Sequence, residues 1–151
     1  MGDPDPEKTN VEFIFQLIEL GITPVFCAIT HDGKGQLLNT NADTVAYSVS
    51  TALSKRYATS LYYCFEKEGV LRDLNDPESL ISSMNNEESE IYKQQGVIAN
   101  GMIPKLDNSF RAIEKGVKEV IILHAKNLLS KRGTILVNTP GGNKIQPSDN
   151  R

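Results

Sequence analysis

Glu119-Val-Ile-Ile-Leu123 is, after its first residue, a short and continuous apolar run. Ser60-Leu-Tyr-Tyr-Cys-Phe65 and Pro24-Val-Phe-Cys-Ala-Ile29 have the same apolar character, and Thr134-Ile-Leu-Val137 predicts a last strand. Such runs are typical of strands that are buried on both faces of a parallel sheet. We therefore expect the first three runs to be inner strands of one mostly parallel sheet.

Helical patterns separate these runs along the chain. Phe13, Leu17 and Leu20 recur at helical spacing behind Thr9-Asn-Val-Glu12, which is typical of a capping box. Further helices are predicted near Asp43, over residues 85–95, from Pro104 and over residues 125–131. Residues 31–35 are predicted to form a turn with Asp32-Gly33 at its tip. Residues 69–86 are predicted to be mostly loop. Strands that alternate with helices predict an α/β fold, with a mostly parallel sheet between two helical layers.

The composition is that of an ordinary globular protein. The 151 residues are 39% hydrophobic and 23% charged, with a formal net charge of −3, which favours neither nucleic acid nor an anionic membrane. No apolar run approaches the roughly 20 residues that span a bilayer, and the acidic N-terminus does not resemble a secretory signal. Cys27 and Cys64 lie within apolar runs, which predicts buried free thiols and a cytoplasmic protein.

The segment Leu38-Asn-Thr-Asn-Ala-Asp43 alternates polar side chains just before a predicted helix. In an extended chain Asn39, Asn41 and Asp43 point the same way, so two amides and a carboxylate converge at a helix N-terminus. Amides can donate to a substrate carboxylate and accept from an amide N–H. Alternatively, Asp43 caps the helix and the asparagines shape a turn, and spacing alone leaves both interpretations open.

A second candidate is Gly96-Val-Ile-Ala-Asn-Gly-Met-Ile-Pro-Lys105. Lys105 falls in the first turn of a predicted helix, where the helix dipole disfavours a cation. A lysine in this place can meet an anion that the helix N–H groups also hold, which is a phosphate-binding arrangement. The alternative is an ordinary exposed lysine.

The third candidate is the loop Cys64-Phe-Glu-Lys-Glu-Gly-Val-Leu71, which leaves a predicted strand. A loop in this position can hold a nucleotide through backbone groups and one carboxylate, or it can be a solvated charged loop. His31 and His124 have no second histidine at ligand spacing, so a metal site is not predicted. The chain contains no GxxxxGK[ST] motif and therefore no P-loop.

Together, in this order and spacing, the three segments resemble the acetylglutamate kinases of the amino-acid kinase family. Asn39-Thr-Asn-Ala-Asp43 resembles the family's N-x-N-A-D motif. Ala99-Asn-Gly-Met-Ile-Pro-Lys105 resembles its G-G-M-x-x-K motif, with Asn100 in place of the first glycine. Phe65-Glu-Lys-Glu-Gly-Val70 aligns with its T-D-V-x-G-V nucleotide loop but departs from it at the first three positions.

The resemblance implies an amino-acid (carbamate) kinase-like fold and the transfer of a phosphoryl group from ATP, with Mg²⁺, to the side-chain carboxylate of an N-acylated glutamate in arginine biosynthesis. Lys105 would stabilise charge on the moving group, Asp43 would orient the catalytic lysines, and Asn39 and Asn41 would bind the substrate. The residues implied at the nucleotide site are Glu66, Lys67, Glu68, Gly69, Val70, Leu71, Val97, Ile98, Ala99, Gly101 and Met102.

The resemblance covers residues 10–137, which it identifies as the C-terminal, nucleotide-binding part of a kinase domain. Residues 1–9 lead into it, and residues 138–151 form a Gly-, Pro- and Asn-rich tail that is predicted to be disordered. Family members begin with a strand that carries a lysine and a Gly-Gly turn, and these motifs have no counterpart in the 151 residues. We therefore expect an incomplete domain, which results from a truncated gene or is completed by a missing N-terminal half or a homo-oligomer.

Two properties follow from an incomplete domain. ATP-Mg should bind weakly to the isolated chain, and an uncovered apolar sheet edge should make the chain self-associate. The alternatives to an enzyme are a non-catalytic nucleotide-binding fragment and an interaction module on a kinase-derived scaffold.

Overall fold

The computed structural model describes residues 2–98 and 101–138 and contains four helices and six strands within them. The helices are α1 (Val11–Glu19), α2 (Ala42–Ser54), α3 (Asn86–Gln94) and α4 (Ile103–Glu114). The strands are β1 (Ile29–His31), β2 (Leu37–Asn39), β3 (Ser60–Phe65), β4 (Ser83–Asn85), β5 (Glu119–His124) and β6 (Gly133–Val137). Single 3₁₀ turns lie at Pro6–Lys8, Pro77–Ser79 and Ala125–Asn127.

Four of the strands form the main sheet, in the order β3-β5-β6-β4. The pairs β3–β5 and β4–β6 are parallel, whereas β5 and β6 are antiparallel. The parallel register places Ser60 opposite Glu119 and Phe65 opposite His124. The predicted α/β fold with a mostly parallel sheet is therefore confirmed, and the antiparallel β5–β6 pair makes the sheet a mixed one.

The core lies between this sheet and the helices α2 and α4. Strand β5 supplies its centre, since its residues 120–123 are at most 1% exposed. From α4, Leu106 is fully buried and Phe110 is 5% exposed, so both belong to the face of this helix that packs into the core. Pro104 lies in the first turn of α4, and Gly116 beyond its end adopts a φ of 102°, which favours glycine.

Two of the three predicted inner strands are wrong, those at residues 24–29 and 60–65. The run at 60–65 forms β3, which pairs only with β5 and so lies at an edge of the described sheet. The strand β1 begins only at Ile29 and pairs antiparallel with β2 in a separate two-stranded sheet. Val25 is 91% exposed, because no described strand lies beside this apolar run. The predicted turn between β1 and β2 is confirmed: the Asp32 carboxylate accepts from the N–H groups of Lys34 (2.7 Å) and Gln36 (3.1 Å).

Two details at helix ends differ from the sequence pattern. Asn10, rather than Thr9, caps α1 by accepting from the N–H of Phe13 at 3.3 Å, so the capping box predicted at residues 9–12 is wrong. Asparagine is a strong N-cap residue, and it immediately precedes the first helical position here. The helix predicted over residues 125–131 is limited to one 3₁₀ turn at Ala125–Asn127.

The prediction that both cysteines are buried is also wrong, because Cys27 and Cys64 are exposed. Cys27 belongs to the run that has no strand beside it, and Cys64 lies on the face of β3 opposite to Leu61 and Tyr63, which are buried. The segment 69–86, predicted to be mostly loop, also contains β4, in which Met84 is fully buried.

Two further points concern the limits of the chain. No helix among the described residues is both long and apolar enough to cross a membrane. The tail predicted to be disordered lies, beyond Asn138, outside the described residues, as does Ala99.

Candidate active site

Lys105 and Asp43 form an ion pair between two helices. The Lys105 ammonium lies 2.6 Å from the Asp43 carboxylate, and the two side chains are 15% and 27% exposed. Asp43 lies in the first turn of α2, where the helix dipole favours a carboxylate. Lys105 lies in the first turn of α4, where the dipole disfavours it, and the partial burial and the nearby carboxylate explain why the cation is tolerated there.

Tyr63 joins this pair from β3, and the sequence patterns did not single it out. The Lys105 ammonium lies 4.5 Å from the centre of the Tyr63 ring, which is a cation–π distance. The Tyr63 hydroxyl donates to the backbone carbonyl of Asp43 at 3.1 Å. Burial, and then the charge of Asp43, raise the pKa of Tyr63 well above its ordinary value, so the hydroxyl remains a donor. A buried tyrosine on an apolar strand requires such a partner, and that requirement is the signal that could have identified it.

The two asparagines lie on the approach to α2. Asn41 caps this helix, since its side-chain oxygen accepts from the N–H of Asp43 at 2.8 Å. The sequence left open that Asp43 caps the predicted helix. In the structure Asn41 is the residue that caps α2. Asn39 ends β2 with an exposed side chain, while its backbone carbonyl accepts from the N–H of Gly2 at 2.8 Å.

The loop after β3 and the turn after β5 meet at the carboxyl ends of two parallel strands. Glu66 and Lys67 are exposed, whereas the Glu68 carboxylate accepts from the Asn127 side chain at 2.6 Å. In parallel α/β sheets this end of the strands is where ligands bind. Glu66 and Lys67 are the side chains of this loop that remain free to face a ligand, since Glu68 already holds the two segments together.

The next residues of the loop point into the protein. Val70 and Leu71 are only 3% and 5% exposed, and the Val70 N–H donates to the Thr134 hydroxyl at 2.8 Å. Gly69 packs so closely on β6 that a Cβ atom there would lie 2.7 Å from the Thr134 hydroxyl oxygen. The Val70 carbonyl also accepts from the N–H of Ile81 at 2.9 Å, so the side chain and both backbone groups of Val70 are engaged within the protein.

The residues just before α4 also differ in how far they are exposed to solvent. Ile98 is buried in the core, Val97 and Met102 are half-buried, and Gly101 is exposed. Met102 occupies the N-cap position, and its side chain caps none of the first N–H groups of α4. The start of this helix thus carries backbone donors that an anion can use, beside the Lys105 ammonium.

Several known proteins resemble this chain in sequence. Residues 2–124 match the model of the amino acid kinase family. An acetylglutamate kinase from Phocaeicola vulgatus is 49% identical over 132 residues, which cover 87% of this chain and 51% of that protein. The acetylglutamate kinase of Methanopyrus kandleri is 35% identical over 87% of this chain and 52% of its own length. The chain thus spans about half the length of the curated relatives that it matches.

Solved structures share the fold over a similar extent. The structure of smu.665 from Streptococcus mutans covers 86% of this chain with a TM-score of 0.73 and 27% identity, and the match covers 49% of that protein. A carbamate kinase from Giardia lamblia bound to AMP-PNP, at 15% identity, shares the fold with a TM-score of 0.60. On the match of the family model over residues 2–124, the chain belongs to the amino acid kinase family.

Proposed function

We propose that this chain carries the nucleotide-binding part of the active site of an acetylglutamate kinase, which phosphorylates the side-chain carboxylate of N-acetyl-L-glutamate in arginine biosynthesis. The observation that supports this proposal best is the ion pair of Lys105 with Asp43 at the start of α4, where the Met102 side chain caps none of the N–H groups. The acetylglutamate kinases that resemble the chain at 49% identity support the choice of acceptor.

The reaction moves the γ-phosphoryl group of ATP onto a carboxylate oxygen, so that one P–O bond breaks as another forms and ADP leaves. Catalysis of such a transfer depends on positioning and on neutralising the charge of the moving group. Lys105 places a cation, and the first N–H groups of α4 place dipoles, on one side of that group. Asp43 and Tyr63 hold the ammonium in place from two directions.

We assign the adenine nucleotide to the carboxyl ends of β3 and β5. Glu66 and Lys67 offer exposed side chains there. Mg²⁺ supplies charge neutralisation in this class of reaction. Phosphate oxygens of the nucleotide would hold this ion.

We place the acceptor near the start of α2. Asn41 uses its oxygen to cap the helix, which leaves its N–H groups as donors, and the Asn39 amide is exposed beside it. Amide donors of this kind suit the carboxylate and acetamido oxygens of an N-acetylated amino acid. The remaining contacts, in this proposal, come from the part of the relatives that this chain does not span.

The proposal is tested by supplying that part. The chain is co-expressed with the N-terminal half of the Phocaeicola vulgatus relative, and acyl phosphate is trapped with hydroxylamine in the presence of ATP and N-acetylglutamate. We expect hydroxamate and ADP in equal amounts from the pair, and none from either half alone. A pair that associates and binds ATP but yields no hydroxamate would contradict the enzyme and favour a nucleotide-binding fragment.

A further inference from the structure

Residues 2–8, which we call the anchor segment, lie against both the β1–β2 hairpin and helix α2. On the hairpin side, the Gly2 N–H donates to the Asn39 carbonyl at 2.8 Å. Gly2 also forms a parallel β-bridge with Thr40, the next residue of the hairpin. The anchor segment is therefore hydrogen-bonded to the stretch of chain that carries the amides assigned to the acceptor.

The same segment is bonded to α2 a few residues later. The Ser48 hydroxyl, which is 2% exposed, donates to the Pro4 carbonyl at 2.8 Å. The 3₁₀ turn Pro6–Lys8 lies against α2, and Glu7 forms an ion pair of 2.6 Å with Lys55. Both of these charged side chains are largely exposed, so the buried Ser48 bond is the stronger attachment.

The contact with the hairpin is packed too closely for any residue but glycine. Gly2 is buried, and a Cβ atom there would lie 2.2 Å from the Thr40 hydroxyl oxygen and 2.4 Å from that of Thr30. These two hydroxyl groups are hydrogen-bonded to each other at 2.7 Å, and Thr40 is 4% exposed. A side chain at position 2 would therefore displace Thr40.

Thr40 stands between the two candidate substrate amides. In an extended chain neighbouring side chains point to opposite faces, and Thr40 is buried while Asn39 and Asn41 are exposed. A contact that fixes Thr40 therefore also fixes the directions in which the two amides point. The hairpin is not part of the main sheet, so its position depends on contacts of this kind.

We propose that Gly2 and Ser48 are positioning residues for the acceptor. Through the anchor segment they hold the hairpin against α2, and this contact places the amides of Asn39 and Asn41 to bind N-acetylglutamate. The identity of the acceptor rests on the proposed function. Neither positioning residue touches the substrate, since the Gly2 position is filled by the hairpin and the Ser48 hydroxyl by the Pro4 carbonyl.

The experiment compares Ser48→Ala with Ser50→Ala in the assembly of this chain with the N-terminal half of the Phocaeicola vulgatus relative. Ser50 is the matched control because it is also buried on α2, at 5% exposure, but its hydroxyl donates to the Tyr47 carbonyl of the same helix at 3.1 Å. Gly2→Ala tests the hairpin side. The KM values for N-acetylglutamate and ATP are measured by hydroxamate formation, and amide hydrogen exchange is followed at residues 38–41 of the full chain alone.

We expect Gly2→Ala to raise the KM for N-acetylglutamate about tenfold and Ser48→Ala to raise it about threefold. The KM for ATP, and both constants in Ser50→Ala, should stay within about twofold of wild type. The Thr40 N–H, which donates to the Ala28 carbonyl at 3.0 Å, should exchange about tenfold faster in Gly2→Ala, with exchange along β5 unchanged.

A double-mutant cycle tests whether Gly2 acts through the amide. In the Asn39→Ala background, Gly2→Ala should raise the KM for N-acetylglutamate by about threefold or less, because the group that it displaces is already missing. A full tenfold rise in that background would overturn the inference for Asn39.

Unchanged exchange at residues 38–41 in Gly2→Ala would overturn the inference, because the anchor segment would then not hold the hairpin. Faster exchange with an unchanged KM for N-acetylglutamate would overturn it as well, since the segment would then serve stability alone. Equal changes in Ser48→Ala and Ser50→Ala, or an equal rise in the KM for ATP, would indicate a general loosening of the fold and would have the same consequence.

An assembly without turnover would contradict the proposed activity, and calorimetric titration with N-acetylglutamate would then replace the kinetic measurement. Weaker binding by Gly2→Ala than by wild type would support the positioning role, and equal or undetectable binding by both would overturn it. If Gly2→Ala does not fold, the comparison of Ser48→Ala with Ser50→Ala decides alone.

Discussion

Two regions of this molecule start from equally apolar strand sequences and reach different structures. In the sheet region, residues 60–98 and 101–138, β5 is buried between two neighbouring strands and its residues 120–123 are at most 1% exposed. In the hairpin region, residues 10–40, exposed large side chains predominate, namely Phe13, Leu20, Ile22, Val25, Phe26, Ile29 and Leu37. An apolar run thus forms a buried strand only where neighbouring strands and helices are present to cover it.

The largest expected effect is on stability. Leu106→Ala in the sheet region removes a fully buried side chain and leaves a cavity, which should lower the free energy of unfolding by about 2–5 kcal/mol. Leu37→Ala in the hairpin region truncates a 67% exposed side chain and should change it by no more than about 0.5 kcal/mol. Urea denaturation of the two variants measures the difference. Equal losses would show that the hairpin region is covered in solution.

The sheet region is the part of the fold that the sequence could predict. The runs at 60–65 and 119–123 were recognisable because their pairing partners and the covering helices α2 and α4 all lie within the chain. The run at 24–29 has the same composition, and its failure to form an inner strand is a matter of missing neighbours rather than of pattern. Strand β4 was missed because its three residues follow a polar loop and lead directly into α3, and because its pairing with β6 is not local in sequence.

Some residues of the candidate site could be predicted from the sequence and others could not. Lys105 and Asp43 were identifiable from their motifs, but their direct contact depends on how α2 and α4 pack across the core. Tyr63 was missed because a tyrosine in an apolar strand looks like any other core residue until the group that its hydroxyl meets is known. The burial of Val70, Leu71 and Ile98 likewise follows from tertiary packing and not from the loop sequence.

The next largest effect is expected on kcat, measured in the catalytically active assembly of this chain with the relative's N-terminal half. Lys105→Ala removes a fixed cation opposite the developing phosphoryl charge and should lower kcat by about 10²–10³. Lys93→Ala is the matched control, because Lys93 is also ion-paired, at 2.6 Å to both Glu90 and Asp107, and its side chain is 14% exposed. We expect that control to lower stability but to leave kcat within about twofold. Similar losses of kcat in both variants would contradict a specific role of Lys105 in catalysis.

Asn39→Ala tests the contribution of the hairpin region to the same site. The Asn39 amide should contact the acceptor in both the ground state and the transition state, so its loss should raise KM for N-acetylglutamate about tenfold with little change in kcat. Steady-state kinetics with varied acceptor at saturating ATP separate the two constants. A fall in kcat at constant KM would assign Asn39 to the transition state instead.

Smaller losses of stability are expected when the N-cap residues of one helix in each region are replaced. Asn85 is buried and forms a reciprocal capping box with Glu88, with bonds of 2.8 and 2.9 Å, so Asn85→Ala should cost about 1–2 kcal/mol. Asn10 caps α1 through one exposed bond of 3.3 Å, and Asn10→Ala should cost about 0.5 kcal/mol. Thermal unfolding of both variants measures the order, and the reverse order would place more of the stability in the hairpin region than we infer.

The smallest expected effect is the dependence of stability on pH, and it again contrasts one carboxylate from each region. Partial burial raises the pKa of Glu119, but the Ser60 hydroxyl at 2.8 Å, Lys131 and Tyr62 together outweigh it and hold the pKa below its ordinary value. In the hairpin region, the backbone N–H groups of Lys34 and then Gln36 lower the pKa of Asp32. A carboxyl whose pKa is lower in the folded state stabilises the protein above its unfolded pKa, and this contribution disappears as the pH falls through the folded pKa.

The contribution of Glu119 to stability is therefore fully present above about pH 4.5 and is lost as the pH falls below that value. Glu119→Gln should lower the free energy of unfolding at pH 7 by no more than about 1 kcal/mol, since the side chain is 20% exposed, and the difference from wild type should shrink toward pH 3.5. Asp32→Asn should show a smaller difference at every pH, because Asp32 is exposed and its bonds are made within one turn that can form without the rest of the fold. Urea denaturation from pH 3.5 to 7 measures both, and a larger pH dependence for Asp32→Asn would mean that the hairpin depends on the folded core more closely than its exposed side chains indicate.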